Sequence, residues 1–175
     1  SWASILPFDK RILLLEANQM AMVEVRQKDM KEVQRHTFIV DKLLPVADRL
    51  GEAPQFEIDA MRAKFVREFR KKSRGRVVGA AVTATSKKER TLLLGTAIKG
   101  FPLLEAKCER EVPTRCQLTR HCRLPMAKKL KQQDIVGVAL DLPSRTLLIA
   151  DRDDHVLHHY RYHSCSRIQY IKTVG

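Results

Sequence analysis

Four short runs near the end of the chain decide its fold: IVGVALDL (135–142), TLLIAD (146–151), HVLHHYRY (155–162) and SRIQYIKTV (166–174). Each run is rich in β-branched, aromatic or leucine residues, and clusters of Pro, Ser, Asp and Arg separate the runs. Residues of the first kind favour strands, and residues of the second kind favour turns. The stretch therefore predicts an antiparallel β-meander of up to four strands.

The same alternation of strands and turns occurs twice earlier in the chain. The three copies align on an arginine, followed by one residue and then three aliphatic residues. The aligned arginines are Arg11, Arg90 and Arg145. In the first copy, residues 1–35, helix competes with strand because good helix formers run from Leu14 to Val23 without Gly or Pro. The alignment favours strands there, and it predicts that Leu148 and Ala150 lie on the buried side of their strand, with Leu93 at the equivalent place.

Between the first two copies lies a segment of different character. Residues 38–49 fit a short helix or a strand with a turn, and GEAP (51–54) breaks the pattern. From residue 55 to 72 apolar side chains recur every three or four residues, which places them on one face of a helix. The residues of this apolar face are Ile58, Met61, Phe65 and Phe69.

The third copy, residues 137–162, resembles a blade of the β-propeller superfamily, of the NHL or WD-repeat type. The matching residues are Gly137, Val138, Ala139, Asp141, Leu148, Ala150, Asp151, Asp153 and His155. The chain lacks the Trp-Asp and Gly-His pairs of WD repeats, and its aligned arginines are spaced unevenly. Known propellers need about four to eight blades. The resemblance therefore implies an incomplete ring whose missing blades come from additional chain or a partner.

These observations predict a mainly β fold of blade-like antiparallel meanders with a basic helical insertion. The predicted division is a first blade-like unit at 1–37, the insertion at 38–76 and two further blade-like units at 77–175. The alternative is an α+β domain whose hairpins only mimic blades.

The charge of the chain points to an acidic partner. It has 33 basic and 20 acidic residues, a formal net charge of +13. Such an excess is far more than solubility requires. The strongest local excess, broken only by Glu68, comprises Arg62, Lys64, Arg67, Arg70, Lys71, Lys72, Arg74 and Arg76. Few aromatic residues accompany these cations for base stacking, so a nucleic-acid contact would be independent of sequence.

Compartment and processing are predicted from weaker signals. The apolar runs are far shorter than the ~18–20 residues of a membrane span. The chain begins at Ser1 without a basic leader, which suggests a processed chain or the ordered part of a longer one. Four cysteines are too few for a disulfide scaffold. We therefore expect reduced cysteines and an intracellular location, in the cytoplasm or nucleus.

Three groups of residues could bind a metal ion, and each has a simpler explanation. On a strand, His155, His159 and His163 share one face but stand too far apart for one ion, and His158 lies on the other face. Surface histidines on an outer strand are the simpler interpretation. A zinc site at Cys116, His121 and Cys122 would need a fourth ligand, such as Cys108 or Cys165; buried or cross-strand thiols are the simpler interpretation. The acidic turn Asp151, Asp153 and Asp154 fits a hairpin cap better than a cation site. We predict no metal and no cofactor.

Catalytic signatures are weak. Glu105-Ala106-Lys107 is similar to half of a restriction-type nuclease core, but no Asp occurs between Asp59 and Glu105 to complete it. The sequence has no nucleophile elbow, GxGxxG motif or P-loop. We therefore predict a non-enzymatic, propeller-type scaffold subunit of a larger assembly that docks an acidic partner through the basic helix. The alternative is a small basic RNA- or DNA-binding protein of a ribonucleoprotein particle.

Overall fold

The computed structural model describes residues 2–8, 11–16, 21–45, 53–71, 77–111, 115–125, 135–151 and 155–175. Within these residues the chain is mainly β, with three four-stranded antiparallel sheets and one helix. Each sheet is a simple meander, because hydrogen-bonded neighbours are also neighbours in sequence. The predicted fold class is confirmed, and the α+β alternative is not needed.

The first sheet contains β1 (Trp2–Phe8), β2 (Arg11–Glu16), β3 (Ala21–Arg26) and β4 (Glu32–Thr37). The strand prediction for this region is therefore confirmed over the competing helix. The middle sheet contains β5 (Val77–Thr85), β6 (Glu89–Thr96), β7 (Leu103–Glu109) and β8 (Cys116–His121). The third sheet contains β9 (Ile135–Asp141), β10 (Thr146–Asp151), β11 (Val156–Ser164) and β12 (Arg167–Val174).

The sheets stack face to face along their first strands, with β5 lying between β1 and β9. On one face of the middle sheet, Leu92 and Leu94 join a core with Met22 of the first sheet. On the other face, Leu93 joins a second core with Leu147 of the third sheet. The middle sheet is therefore covered on both sides, as an internal blade of a propeller would be.

The burial of residues 92–96 of β6 follows from the position of the middle sheet between the two others. Residues 92–96 of β6 are all buried, without the alternation of a half-exposed strand. In β10 the burial does alternate, with Leu147 and Ile149 buried and Leu148 and Ala150 half-buried. The prediction was thus right for Leu93 and wrong for Leu148 and Ala150. The reason is that only one face of β10 packs against a sheet among the described residues.

Residues 38–45, which the sequence left undecided, form neither a helix nor a regular strand. They run parallel to β8 and bond to its outer edge, through Ile39 N to Cys116 O at 2.9 Å and His121 N to Leu44 O at 2.8 Å. Unpaired strand edges invite association with other chains. This segment therefore covers the edge of the middle sheet with backbone from the same molecule.

Helix α1 spans Gln55–Arg70 and packs on the core between the first and middle sheets. In the described part of the chain, no helix combines the length and the apolar character that a membrane crossing requires. The proposed division at 1–37, 38–76 and 77–175 stays a prediction.

Candidate functional site

The predicted apolar face of helix α1 is confirmed. Ile58 and Phe65 are buried, and Met61 and Phe69 pack beside them. The ring of Phe65 meets Phe101 of the middle sheet edge to face, with centroids 5.1 Å apart. Aromatic contacts of this kind add to the free energy of burial. The helix is thereby held in one orientation, and its opposite side faces solvent.

The eight predicted cations have different environments. Arg62 is half-buried and its Nε donates to the carbonyl oxygen of Leu43 at 2.9 Å, which ties the helix to the segment along β8. Lys71 pairs with Glu68 at 2.9 Å. Lys64, Arg67 and Arg70 are exposed. The remaining three, Lys72, Arg74 and Arg76, lie outside the described residues.

A cation outside the predicted set, Lys99, also lies on this side of the molecule. The hydrogen bond from Lys71 lowers the pKa of Glu68, and the charges of Lys71, Lys99 and Arg67 lower it further. Lys99 lies in the turn between β6 and β7, where Gly100 adopts φ of +92° beside the Lys64 ammonium group. We call Lys64, Arg67, Arg70, Lys71 and Lys99 the basic surface.

His121 lies beneath the basic surface and is not part of its charge. Its ring lies 5.0 Å from the ring of Phe101. Burial, reinforced by the positive charge of Lys64, lowers the pKa of His121 to about 4. The imidazole is therefore neutral near pH 7 and packs as an apolar ring.

The expectation of four reduced cysteines is wrong in this structure. Cys108 and Cys116 form a disulfide across the neighbouring strands β7 and β8. Cys122 and Cys165 form a second disulfide, which joins the end of β8 to the turn between β11 and β12. The second bond therefore links the middle sheet to the third sheet. Disulfide formation removes Cys116 and Cys122 as thiolate ligands for zinc.

The histidines of β11 follow the predicted alternation. His158, Tyr160 and Tyr162 are buried on the side of the second core, whereas His159 and His163 are half-buried. The prediction of a surface histidine is therefore wrong for His158. Burial raises the pKa of Tyr160, whose hydroxyl donates to the carbonyl oxygen of Pro125 at 3.0 Å. The strand thus uses one face for packing.

A polar network at the end of the third sheet has the residue types of a hydrolytic triad. His158 Nδ1 lies 3.0 Å from Thr173 Oγ1, which lies 2.6 Å from the hydroxyl of Tyr170. On its other side, His158 Nε2 lies 3.7 Å from Asp151 Oδ2, beyond hydrogen-bond distance. Asp151 and His158 are both buried, and the network joins strands β10, β11 and β12.

A cleft of about 540 Å³ lies between the middle and third sheets. Glu105 and Lys107 of the predicted half-motif both line it, together with Arg145 and His163. Lys107 also lies 3.7 Å from Glu89, and Glu105 accepts a hydrogen bond from Thr119 at 3.3 Å. Glu105 is the only carboxylate among its lining residues, so the carboxylate pair of a nuclease core does not form there.

No cluster of three His, Cys, Asp or Glu side chains suited to a metal ion occurs among the residues that the structure describes. Asp151 is buried at the end of β10, and Asp153 and Asp154 lie outside the described residues. The absence of a bound metal or cofactor stays a prediction.

Comparison with known proteins gives one kind of match. No family model and no curated protein matches this chain. Among solved structures, the chain is similar to the β-propeller domain of Cps50 (Swd1) from Myceliophteria thermophila. The TM-score is 0.44 at 9% sequence identity, over 99% of this chain and 58% of that chain. The chain thus spans less than two thirds of the propeller that it matches.

Proposed function

We propose that this protein is a non-enzymatic interaction subunit of a larger assembly, which docks an acidic protein segment through the basic surface. The observation that carries the proposal is the exposure of Lys64, Arg67 and Arg70 on a helix whose opposite face is fixed by Phe65 and Phe101. Exposed cations on a rigid element form a preorganised site for carboxylates.

The composition of the basic surface favours protein over nucleic acid. Glu68 lies within it and is ionised in the presence of Lys71 and Lys99. Because Glu68 pairs with Lys71, it reduces the net positive charge that this surface offers to a phosphate backbone. An acidic protein segment can place a neutral or basic residue opposite Glu68 and carboxylates opposite the cations.

Three further predictions belong to this proposal. Residues 1–37, 38–76 and 77–175 act as one blade-like unit, a basic insertion and two blade-like units. Additional chain or a protein partner supplies sheets beyond these three. The third prediction is an intracellular location, in the cytoplasm or nucleus.

The two disulfides are more typical of an oxidising compartment than of this predicted location. Alkylation of free thiols in freshly lysed cells, read by mass spectrometry, distinguishes a reducing compartment from an oxidising one.

The test of the basic surface is a triple variant, Lys64→Gln/Arg67→Gln/Arg70→Gln. Its control, Lys28→Gln/Lys31→Gln/Lys42→Gln, removes the same charge from exposed positions elsewhere. The probe for an acidic protein is poly-L-glutamate, titrated at several salt concentrations. We expect the triple variant to bind it at least about tenfold more weakly, at roughly 0.5 kcal/mol per contact. The control should bind like the unchanged chain, and both variants should remain folded.

A single-stranded RNA of random sequence tests the alternative function. RNA binding that is tight at physiological salt, and whose salt slope falls by about 0.7 per removed cation in the triple variant, would favour nucleic acid instead. Equal behaviour of the triple variant and its control with both probes would leave the basic surface as a solvated face and refute the proposal.

A further inference from the structure

We infer that the open face of the third sheet is a docking face for an antiparallel β-sheet of another polypeptide. The incoming sheet would pack on this face as the third sheet packs on the middle sheet. The inference deepens the part of the proposed function that concerns missing sheets. It does not depend on the basic surface.

The interface between the middle and third sheets provides the template. On the middle sheet, two glycines lie side by side in register, Gly79 in β5 and Gly95 in β6. Val138 of β9 fills the space above them: an added Cβ at Gly79 would lie 2.6 Å from the Val138 carbonyl oxygen, and one at Gly95 would collide with the Val138 side chain. Leu103 is the register partner of Gly95 and is fully buried there.

The third sheet repeats this row at the same register. Gly137 of β9 lies opposite Ala150 of β10, and Ala150 lies opposite Leu157 of β11. The row Gly137, Ala150, Leu157 therefore corresponds strand for strand to the row Gly79, Gly95, Leu103. We call the side of the third sheet that carries this row and Leu148 its far face.

The two rows differ in what covers them. Leu103 has no exposed area, whereas 43% of Leu157 is exposed. An added Cβ at Gly137 would meet only the Cβ of Ala150, at 3.7 Å, so the place that corresponds to Val138 is open. Both sheets thus have a pair of small residues beside a leucine. In the middle sheet an aliphatic side chain occupies the space above the pair, and in the third sheet this space is open.

Charge narrows the identity of the occupant. On the covered face of the middle sheet, Glu105 is the register partner of Arg120, so this place of the face carries one charge of each sign. At the corresponding place of the far face, His159 lies opposite the exposed Lys172, with Arg161 two residues further along. The occupant is therefore a sheet with a β-branched residue on its first strand and a carboxylate on an outer strand. The charge of +13 on this chain disfavours a second copy.

The probe for the far face is a duplicated sheet. A second copy of residues 126–175 is fused after Gly175. Its residues 126–134, which connect β8 to β9 in the parent chain, then serve as the linker between β12 and the added sheet. Cys165 of the added copy is changed to Ala, because it has no partner there. If the added sheet docks on the far face, Leu157 becomes buried as Leu103 is.

The measurement is the effect of Leu157→Glu on the melting temperature of both chains. We expect it to be small in the parent chain and larger by at least about 6 °C in the extended chain, because a buried carboxylate without a partner is costly. The control is Val33→Glu, at a residue of β4 with 45% exposure, which should act equally in both. Equal effects of Leu157→Glu in the two chains would overturn the inference.

Two measurements on the parent chain test the inference even if the extended chain does not fold. Binding of the dye bis-ANS, which reports exposed apolar surface, should fall in Leu157→Glu and not in Val33→Glu; an unchanged signal would show that the far face is not open and overturn the inference. In sedimentation, we expect a monomer. A dimer that Leu157→Glu dissociates would overturn the assignment to another polypeptide and give the face to a second copy.

Discussion

The middle and third sheets have the same topology and similar sequences in β6 and β10, but among the described residues only the middle sheet has a sheet on each face. TLLLG in β6 and TLLIA in β10 occupy equivalent positions, yet residues 92–96 are all buried whereas Leu148 and Ala150 are half-buried. The middle sheet has a sheet on each face and residues 38–45 along its outer edge. The difference lies in the neighbours of each sheet and not in its own sequence.

This comparison teaches that an apolar strand can be suited to a neighbour that the chain itself does not supply. A strand with one solvated face usually alternates apolar and polar residues. β10 is apolar at both Leu147 and Leu148, as β6 is at Leu92 and Leu93. Its sequence is that of a strand enclosed on both sides, which is the basis for treating the far face as unfinished.

The largest effect is expected from placing a charge on equivalent residues of the two sheets. Leu93→Asp would leave a carboxylate in the second core, where Leu93 is 2% exposed, and should cost roughly 5 kcal/mol or more. Leu148→Asp should cost much less, because one side of Leu148 is open to water. Urea unfolding measures both. If Leu93→Asp does not fold, Leu93→Ala and Leu148→Ala make the same comparison, with about 3 and 1 kcal/mol expected. Equal costs at the two residues would contradict the difference in burial between the two sheets.

The disulfides test how firmly the two sheets are joined. Cys122 and Cys165 are separated by 43 residues, and Cys108 and Cys116 by 8. In the chain-entropy description, the longer loop is worth about 4 kcal/mol and the shorter about 2.5 kcal/mol. Replacing Cys122 and Cys165 by alanine should therefore lower the unfolding free energy more than replacing Cys108 and Cys116. Purified protein with four free thiols and unchanged stability would contradict both assignments.

The strands were predictable because each run ends at turn residues and because the first copy, where good helix formers compete, aligns with the other two. The faces of β10 were not, since TLLIAD is apolar at successive positions and alternation cannot choose between Leu147 and Leu148. On β11 the alternation placed His158, Tyr160 and Tyr162 on one face, as the structure has them, but the histidines on both faces did not indicate which face is buried. A pattern predicts a buried face only where the two faces differ in composition.

The candidate site was predictable only in its local part. Periodicity correctly separated the apolar face of helix α1 from its cations, but it could not show that Arg62 bonds to Leu43. Lys99 joins the basic surface across a distance of many residues, through packing of Phe65 on Phe101. The cysteine pairs were missed because a low cysteine count was taken to indicate a reducing compartment, and four cysteines allow three pairings.

His121 should make the middle sheet sensitive to acid. Its folded pKa of about 4 lies below its ordinary value of 6.5, so the unfolded chain binds the proton first as the pH falls. Its neutral form therefore supports folding fully above pH 6.5, and this contribution is lost between pH 6.5 and 4. The expected loss is about 3 kcal/mol.

Urea unfolding across this pH range, compared with His121→Gln, isolates the contribution of the histidine from that of the carboxylates. Lys64→Gln should raise the folded pKa and make the loss smaller, because the Lys64 charge opposes protonation of His121. A His121→Gln protein with the same pH dependence as the unchanged chain would show that the ring does not titrate in this range.

The smallest effect, and the sharpest matched pair, comes from adding one methyl group to equivalent glycines. Gly79→Ala should destabilise the protein by about 2 kcal/mol, because the new Cβ would lie 2.6 Å from backbone oxygen of Val138 and overpack the interface between the sheets. Gly137→Ala places its Cβ at an ordinary 3.7 Å from Ala150, with open space beyond. Because alanine restricts the unfolded chain more than glycine does, Gly137→Ala should be neutral or stabilising by about 0.5 kcal/mol. Thermal unfolding of the two variants side by side measures the difference, and a destabilising Gly137→Ala in the isolated chain would mean that the far face is already occupied.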